Sequence, residues 1–190
     1  NLNMNLENYV KTFQMFDDEQ CDNVLKDLTT RNFEIHKFSD YNDVAGKDIR
    51  QPLNYTGEVE SGNHKLIIDG YWQCLSKYVM DVDAPWFASW NGFVPPKYIK
   101  YKENSEMRLH CDHIYSIFEN DGNIRGIPTL TMVLLLNDGF EGGEFEMFDG
   151  QKSYPLKKGE VIIFPSNFLY PHRVTQITKG ERNSVATWVY

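Results

Sequence analysis

The hydrophobic positions change period part-way along the chain. In DDEQCDNVLKDLTTRN, Cys21, Val24, Leu25 and Leu28 recur at i, i+3, i+4 and i+7, one face of an amphipathic helix. Asp17 followed by Gln20 predicts a capping box at its start. In HKLIIDGYWQCLSKYVM, Ile67, Tyr71, Cys74, Leu75 and Tyr78 form a second helical stripe, which Gly70 weakens by about 1 kcal/mol. Between the two, SDYNDVAGKDIRQPLNYTGEVESGN is polar, aperiodic and rich in turn residues. It reads as one long loop from Ser39 to Asn63, and loops of that length are usually functional or mobile.

After DAPWFASWNGFVPP the period shortens. KYIKYK, MRLHCDH, PTLTMVLLLN, GEFEMF, KSYPL, GEVIIFP, PHRVTQI and RNSVATWVY are rich in β-branched and aromatic residues. Gly, Pro, Asn and Asp separate them, so they read as strands. FEIHKF offers a further one. Short strands at this spacing predict a double-sheet jelly roll or barrel, with the helices packed outside. The class is α+β, mainly β. One domain is expected over residues 1–190: a helical and loop support region over 1–95, then the jelly-roll strands over 96–190.

Composition narrows the function. Hydrophobic residues make up 41% and aromatics 14% of the chain, which places it among globular proteins. The net charge is −8 and the pI about 5.1, which argues against a nucleic-acid partner. The longest apolar run, within LTMVLLLND, falls far short of the roughly 20 residues of a membrane span. NLNMNLENYV shows no basic segment before an apolar core, so no signal peptide is expected. Cys21, Cys74 and Cys111 are odd in number and widely spread, which reads as reduced thiols. Together these predict a cytoplasmic protein without membrane attachment.

Chemistry concentrates in MRLHCDH, which holds two of the five histidines. On one strand over 107–113, alternation points His110 and Asp112 one way and Cys111 and His113 the other. Cys111 is then a core thiol. An imidazole beside a carboxylate in a sandwich interior fits a paired hydrogen bond at a sheet edge, or two members of a 2-His-1-carboxylate metal set. His172, which follows a proline turn, is the downstream candidate for the third ligand. His36 and His64 lie in the amino-terminal part, with no evident route to convergence. Ten residues beyond His172 stands Arg182. An arginine aimed into a barrel needs an anion, and its planar fork clamps carboxylates.

Four segments in order carry a family resemblance: YKENSEMRLHCDH, LTMVLLLNDGFEGGEFEMF, LKKGEVIIFPSNFLYPHRV and TKGERNSVATWVY. They resemble the non-haem Fe(II)- and 2-oxoglutarate-dependent dioxygenases, most closely the prolyl 4-hydroxylase branch, over residues 97–190. That resemblance implies a double-stranded β-helix of cupin-like type. It implies Fe(II) at His110, Asp112 and His172, with O₂ and 2-oxoglutarate as cosubstrates and ascorbate as an accessory. Arg182 would bind the distal carboxylate of 2-oxoglutarate, with Ser184 adding a hydrogen bond and Tyr101 a phenol donor. The implied reaction decarboxylates 2-oxoglutarate to succinate and hydroxylates a prolyl residue in a peptide or protein, or a related amino acid. Alternatives are an oxygenase acting on nucleic acid or a small metabolite, a non-catalytic cupin-like metal module, and a zinc hydrolase.

The chain departs from the family pattern at Asn104, Met107 and Leu135, where glycine, an aromatic and tyrosine are frequent. Gly142 and Gly143 read as turn glycines, and Trp188 as core. Trp86, Phe87, Trp90 and Phe93 read equally as groove lining or helix anchors. The 39–63 stretch, with Tyr41, Arg50 and Tyr55, is expected to close over substrate.

Overall fold

The computed structural model describes residues 5–36, 51–87, 90–112, 118–120 and 123–190. Two α-helices, α1 (Asp18–Leu28) and α2 (Ser61–Val82), follow a short 3-10 turn at Leu6–Tyr9. Asp17 caps α1 through the Gln20 backbone N–H, and the Gln20 side chain accepts from Asp17 in return. Both helical stripes are buried where the periodicity places them: Cys21, Val24 and Leu28 on α1, and Ile67, Tyr71, Cys74, Leu75 and Tyr78 on α2. Among the described residues no helix is long and apolar enough to cross a membrane.

In chain order the strands are β1 (Lys11–Gln14), β2 (Glu34–Ile35), β3 (Leu53–Thr56), β4 (Lys97–Tyr101), β5 (Met107–His110), β6 (Phe118–Asn120), β7 (Asn123–Gly126), β8 (Leu130–Leu135), β9 (Glu141–Gly142), β10 (Phe145–Met147), β11 (Lys152–Tyr154), β12 (Glu160–Pro165), β13 (His172–Val174), β14 (Ile177–Lys179) and β15 (Arg182–Val189). A seven-stranded sheet runs β1-β12-β8-β15-β4-β3-β2, and a four-stranded sheet runs β11-β10-β13-β5. The fold is a double-stranded β-helix with helices outside.

The central strands β12, β8 and β15 of the large sheet are buried on both faces, which explains their continuous apolar runs. Leu130, Met132 and Leu134 of β8, with Val185 and Val189 of β15, pack with α1 and α2 in one core. Val133 of β8, with Ala186 and Trp188 of β15, turns into a second core shared with β5, β10 and β13. The Tyr71 hydroxyl donates to the Val185 carbonyl at 2.8 Å and ties α2 to the sheet.

The expected 39–63 loop is partly wrong. Residues 53–56 form β3, and α2 begins at Ser61. LNYT pairs with β4 in register, an order that only the neighbouring strand provides. Tyr55 lies opposite Tyr98 on the helix side, packs against Phe33 and Tyr98, and donates its hydroxyl to the Glu58 carbonyl. It faces away from the barrel interior. Tyr41, Arg50 and the rest of 37–50 lie outside the described residues. Phe87, Trp90 and Phe93 pack against the helical core, and Trp72 of α2 meets Trp90 and Phe93 at 5.1 and 5.4 Å. They anchor helices, while Trp86 is exposed.

Turn chemistry explains one sequence departure and one motif. Asn104 adopts φ +68°, a left-handed conformation that asparagine tolerates in place of glycine. Gly142 and Gly143 adopt φ +76° and +71°. A Cβ on Gly142 would stand 2.1 Å from the Gln176 carbonyl oxygen, and one on Gly143 would stand 3.1 Å from Arg182 Cδ.

Candidate metal centre and anion pocket

β5 and β13 are antiparallel neighbours, and His110 lies opposite His172 in their register. Their ring centroids are 4.4 Å apart. Asp112 stands beside both, but not as strand alternation predicted. β5 stops at His110, because its partner β13 begins at His172, directly after Pro171. A proline supplies no N–H to extend a ladder. Asp112 therefore sits in a bend beyond the strand end. His110 Nε2 approaches its Oδ1 at 3.3 Å, and His172 Nε2 approaches its Oδ2 at 3.6 Å. One ligand atom from each residue lies within 4.8 Å of the others, the one such cluster among the described residues. Neither His36 nor His64 joins it.

The surroundings fix each donor. His110 Nδ1 lies 2.7 Å from the Arg108 carbonyl, and His172 Nδ1 lies 3.1 Å from the Tyr170 carbonyl. A carbonyl accepts only, so each Nδ1 carries the proton and each Nε2 lone pair faces the cluster. Asp112 Oδ2 accepts from Thr131 Oγ1 at 2.8 Å and from Trp188 Nε1 at 3.0 Å. Thr131 in turn contacts Ser166 Oγ at 2.6 Å. His172 is wedged between Phe145 and Phe164, at 5.6 and 4.8 Å.

Electrostatics follow from burial and these contacts. Burial disfavours the Asp112 charge, yet His172, His110 and Trp188 together hold its pKa far below the ordinary carboxylate value. Burial pushes His172 down to about 4, against the pull of Asp112. His110 is also desolvated, but its hydrogen bond and attraction to Asp112 leave it raised. Both directions describe one shared site. The better-buried ring is the harder of the two to protonate.

A buried cation lies along the same face of the large sheet as Trp188. Arg182 opens β15 opposite Tyr101 of β4, is 1% exposed, and its guanidinium carbon lies 5.2 Å from the Tyr101 ring centroid. Arg182 Nε and Nη1 and Ser184 Oγ are buried without a hydrogen-bond partner. Burial lowers the Arg182 pKa and raises that of Tyr101 to about 12. Arg182, Ser184, Ala186 and Trp188 share one face of β15. The same wall therefore carries the orphaned donors and, at its far end, the indole bound to Asp112. Cys111 is half-buried, not core, with Sγ against the Phe168 carbonyl at 3.5 Å. It left the core when β5 ended. His113 lies outside the described residues.

The sequence profile of the 2OG-Fe(II) oxygenase superfamily matches residues 96–190, half of the chain. The chain belongs to this superfamily. A PKHD-type hydroxylase of Shewanella oneidensis is 33% identical over 99 residues, covering 51% of this chain and 43% of that protein. The chain thus spans under half the length of that curated relative. In structure the oxygenase resembles a viral collagen prolyl hydroxylase from Paramecium Bursaria Chlorella virus-1, with TM-score 0.67, 16% identity, and coverage of 95% of this chain and 94% of that one. It also resembles a Trichoplax adhaerens prolyl hydroxylase in complex with a hypoxia inducible factor peptide, with TM-score 0.70, 14% identity, and coverage of 96% and 84%. These likenesses extend the shared fold over the amino-terminal half.

Membership implies Fe(II) and 2-oxoglutarate, and the oxygenase's residues fit both. Two imidazole nitrogens and a carboxylate oxygen suit Fe(II). Buried, unpaired donors on Arg182 and Ser184 suit a carboxylate. The sequence reading missed Thr131 and Ser166, and preferred a core role for Trp188 over a contact at the site. Thr131 stands at an inward position of β8 and Trp188 at an inward position of β15, so a period of two was the available signal.

Proposed function

We propose that this oxygenase hydroxylates a prolyl residue in a peptide or protein, or a related amino acid. His110, Asp112 and His172 bind Fe(II), and Arg182 and Ser184 bind the distal carboxylate of 2-oxoglutarate. One observation carries this reading: buried, unpartnered donors of Arg182 and Ser184 share a wall with the indole bound to Asp112. A zinc hydrolase would use the same three ligands but gives a buried guanidinium no anion.

Each residue has a defined task. The two Nε2 atoms and the Asp112 carboxylate supply three donors from one side of the site. Thr131 and Trp188 hold Oδ2 and orient the carboxylate. The carbonyls of Arg108 and Tyr170 fix the imidazole tautomers. Tyr101, under the Arg182 guanidinium, adds a phenol donor at the carboxylate end. Phe145 and Phe164, packed on His172, exclude water from the metal face. When bound, Fe(II) and 2-oxoglutarate supply the oxidation, with O₂ as oxidant and ascorbate as an accessory reductant. Residues 96–190 form the catalytic strands, and 1–95 support them within one domain. The similar proteins are a PKHD-type hydroxylase and prolyl hydroxylases, which supports a prolyl or related substrate.

The test is anaerobic addition of Fe(II) and then 2-oxoglutarate, read as a weak visible charge-transfer band. Succinate release is then measured against a peptide and amino-acid panel. Absence of the band in wild-type protein sinks the metal and cosubstrate assignment. Succinate release stimulated only by non-prolyl substrates sinks the prolyl reading.

A further inference from the structure

A second cation stands on the face of the sheet that carries Arg182, at the Trp188 end. Across the β4–β15 ladder Tyr101 pairs with Arg182, Ile99 with Ser184, and Lys97 with Ala186. Residues two apart share a face, so Lys97, Ile99 and Tyr101 flank the wall that carries Arg182 and Trp188. Four strand positions, about 13 Å of ladder, separate the two cations. Arg182 is buried at one end. Lys97 occupies the metal end, with Nζ 5.5 Å from the Trp188 ring centroid, on the indole that donates to Asp112. Burial lowers the Lys97 pKa, while the charge of Asp112 raises it; the ammonium senses the metal carboxylate.

This ammonium is desolvated, with a ring face and the charge of Asp112 as partial compensation but no paired carboxylate. Lys100, on the other face of β4, reaches Glu181 at 3.9 Å and the Phe33 ring at 4.5 Å. Lys97 has the Trp188 ring face but no carboxylate in salt-bridge range among the described residues. A partly buried cation without an anion is costly. Asp112 already serves two imidazoles, an indole and a hydroxyl, and in the oxygenase it serves the metal.

We propose that Lys97 determines substrate specificity by binding a carboxylate of the substrate beside the reacting C–H bond. The substrate is then an anionic prolyl or related compound. This rests on the oxygenase reading above. The carboxylate has two sources, the α-carboxylate of a free amino acid or an acidic side chain next to the target in a peptide.

The experiment uses probe pairs that differ by one carboxylate. One pair is L-proline and L-prolinamide. The other is a short proline-containing peptide with Glu or Gln beside the proline. Binding to the Fe(II)- and 2-oxoglutarate-loaded protein is measured anaerobically by calorimetry and by perturbation of the charge-transfer band. Wild-type protein should bind the acidic member of one pair about tenfold tighter, and the responding pair identifies the source. Lys97→Met should erase the preference, and Lys97→Arg should keep most of it. Lys97→Gln replaces Lys97→Met if the latter misfolds. Equal binding of acidic and neutral probes by wild-type protein overturns the proposal. So does a preference that survives Lys97→Met, or a defect confined to 2-oxoglutarate affinity. If the band never forms in wild-type protein, the oxygenase reading fails first and this inference falls with it.

Discussion

The indole N–H of Trp188 meets Oδ2 of Asp112 at 3.0 Å, bridging 76 positions of sequence. Thr131 donates to the same oxygen at 2.8 Å. Two donors on one oxygen fix the carboxylate plane and leave Oδ1 toward His110. Partners of this kind typically change metal affinity by 10–100-fold. Trp188→Phe, which keeps most of the packing and loses the N–H, should weaken Fe(II) binding by about tenfold. Thr131→Val should act in the same direction. An unchanged affinity in the double variant, measured by anaerobic metal titration, would show that the carboxylate needs no orientation.

The three proposed ligands should differ from these partners in kind. Alanine at His110, Asp112 or His172 should abolish Fe(II)-dependent succinate release while circular dichroism stays native. Full turnover in any one of them, with iron still bound, removes that residue from the set.

Acid should release the metal through His110. Its pKa is raised above the ordinary histidine value by Asp112, whereas burial holds His172 near 4. As pH falls, His110 therefore protonates first, and a protonated Nε2 cannot bind iron. Affinity should fall about tenfold per pH unit once pH is below the His110 pKa, with His172 still neutral. Imidazole resonances of the metal-free protein, followed by NMR across that range, check the order. Protonation of His172 before His110 contradicts it.

The fold was legible where one force dominates. The stripes of α1 and α2 follow from burial with a fixed period, and β8, β12 and β15 from short runs of apolar and β-branched residues between turn residues. The Asp17 cap follows from local hydrogen bonding. What escaped depends on partners distant in sequence. β3 is ordered by β4, and β1 by β12. The end of β5 is set by Pro171, sixty residues downstream of Cys111. The convergence of His110, Asp112 and His172 and the burial of Arg182 were expected because few residue types suit a metal or an anion. Thr131 and Lys97 belong to types common on any strand, and pairing with β15 sets them beside the site; Ser166 lies just past the end of β12, where no strand period applies.

Gly143 links a turn to the anion pocket. It holds φ +71°, and a Cβ there would press on Ile177 Cδ1 at 2.5 Å and Arg182 Cδ at 3.1 Å. Gly143→Ala should cost roughly 1 kcal/mol or more of stability through the positive φ. It should also shift the Arg182 stem and raise the apparent KM for 2-oxoglutarate. Unfolding curves and cosubstrate titrations separate the two effects. A stability loss with unchanged KM would confine Gly143 to the turn.

Arg182 should trade stability for binding. It is 1% exposed with Nε and Nη1 unpartnered, so without an anion its burial opposes folding. Arg182→Met replaces the charge with an apolar side chain of similar length. The ligand-free variant should melt higher than wild type, by about 2–4 °C for each kcal/mol relieved in a chain of this size. 2-Oxoglutarate should stabilise wild-type protein and fail to stabilise the variant, since a bound ligand shifts melting only where it binds. Loss of the clamp should weaken cosubstrate binding by roughly 2–5 kcal/mol and leave iron affinity nearly unchanged. Arg182→Lys should retain more binding than Arg182→Ala, because a point charge survives without the fork. Thermal melts with and without 2-oxoglutarate, run beside iron titrations, measure all three quantities. A variant that melts lower than wild type and still binds 2-oxoglutarate would make Arg182 a structural residue and remove the anion clamp.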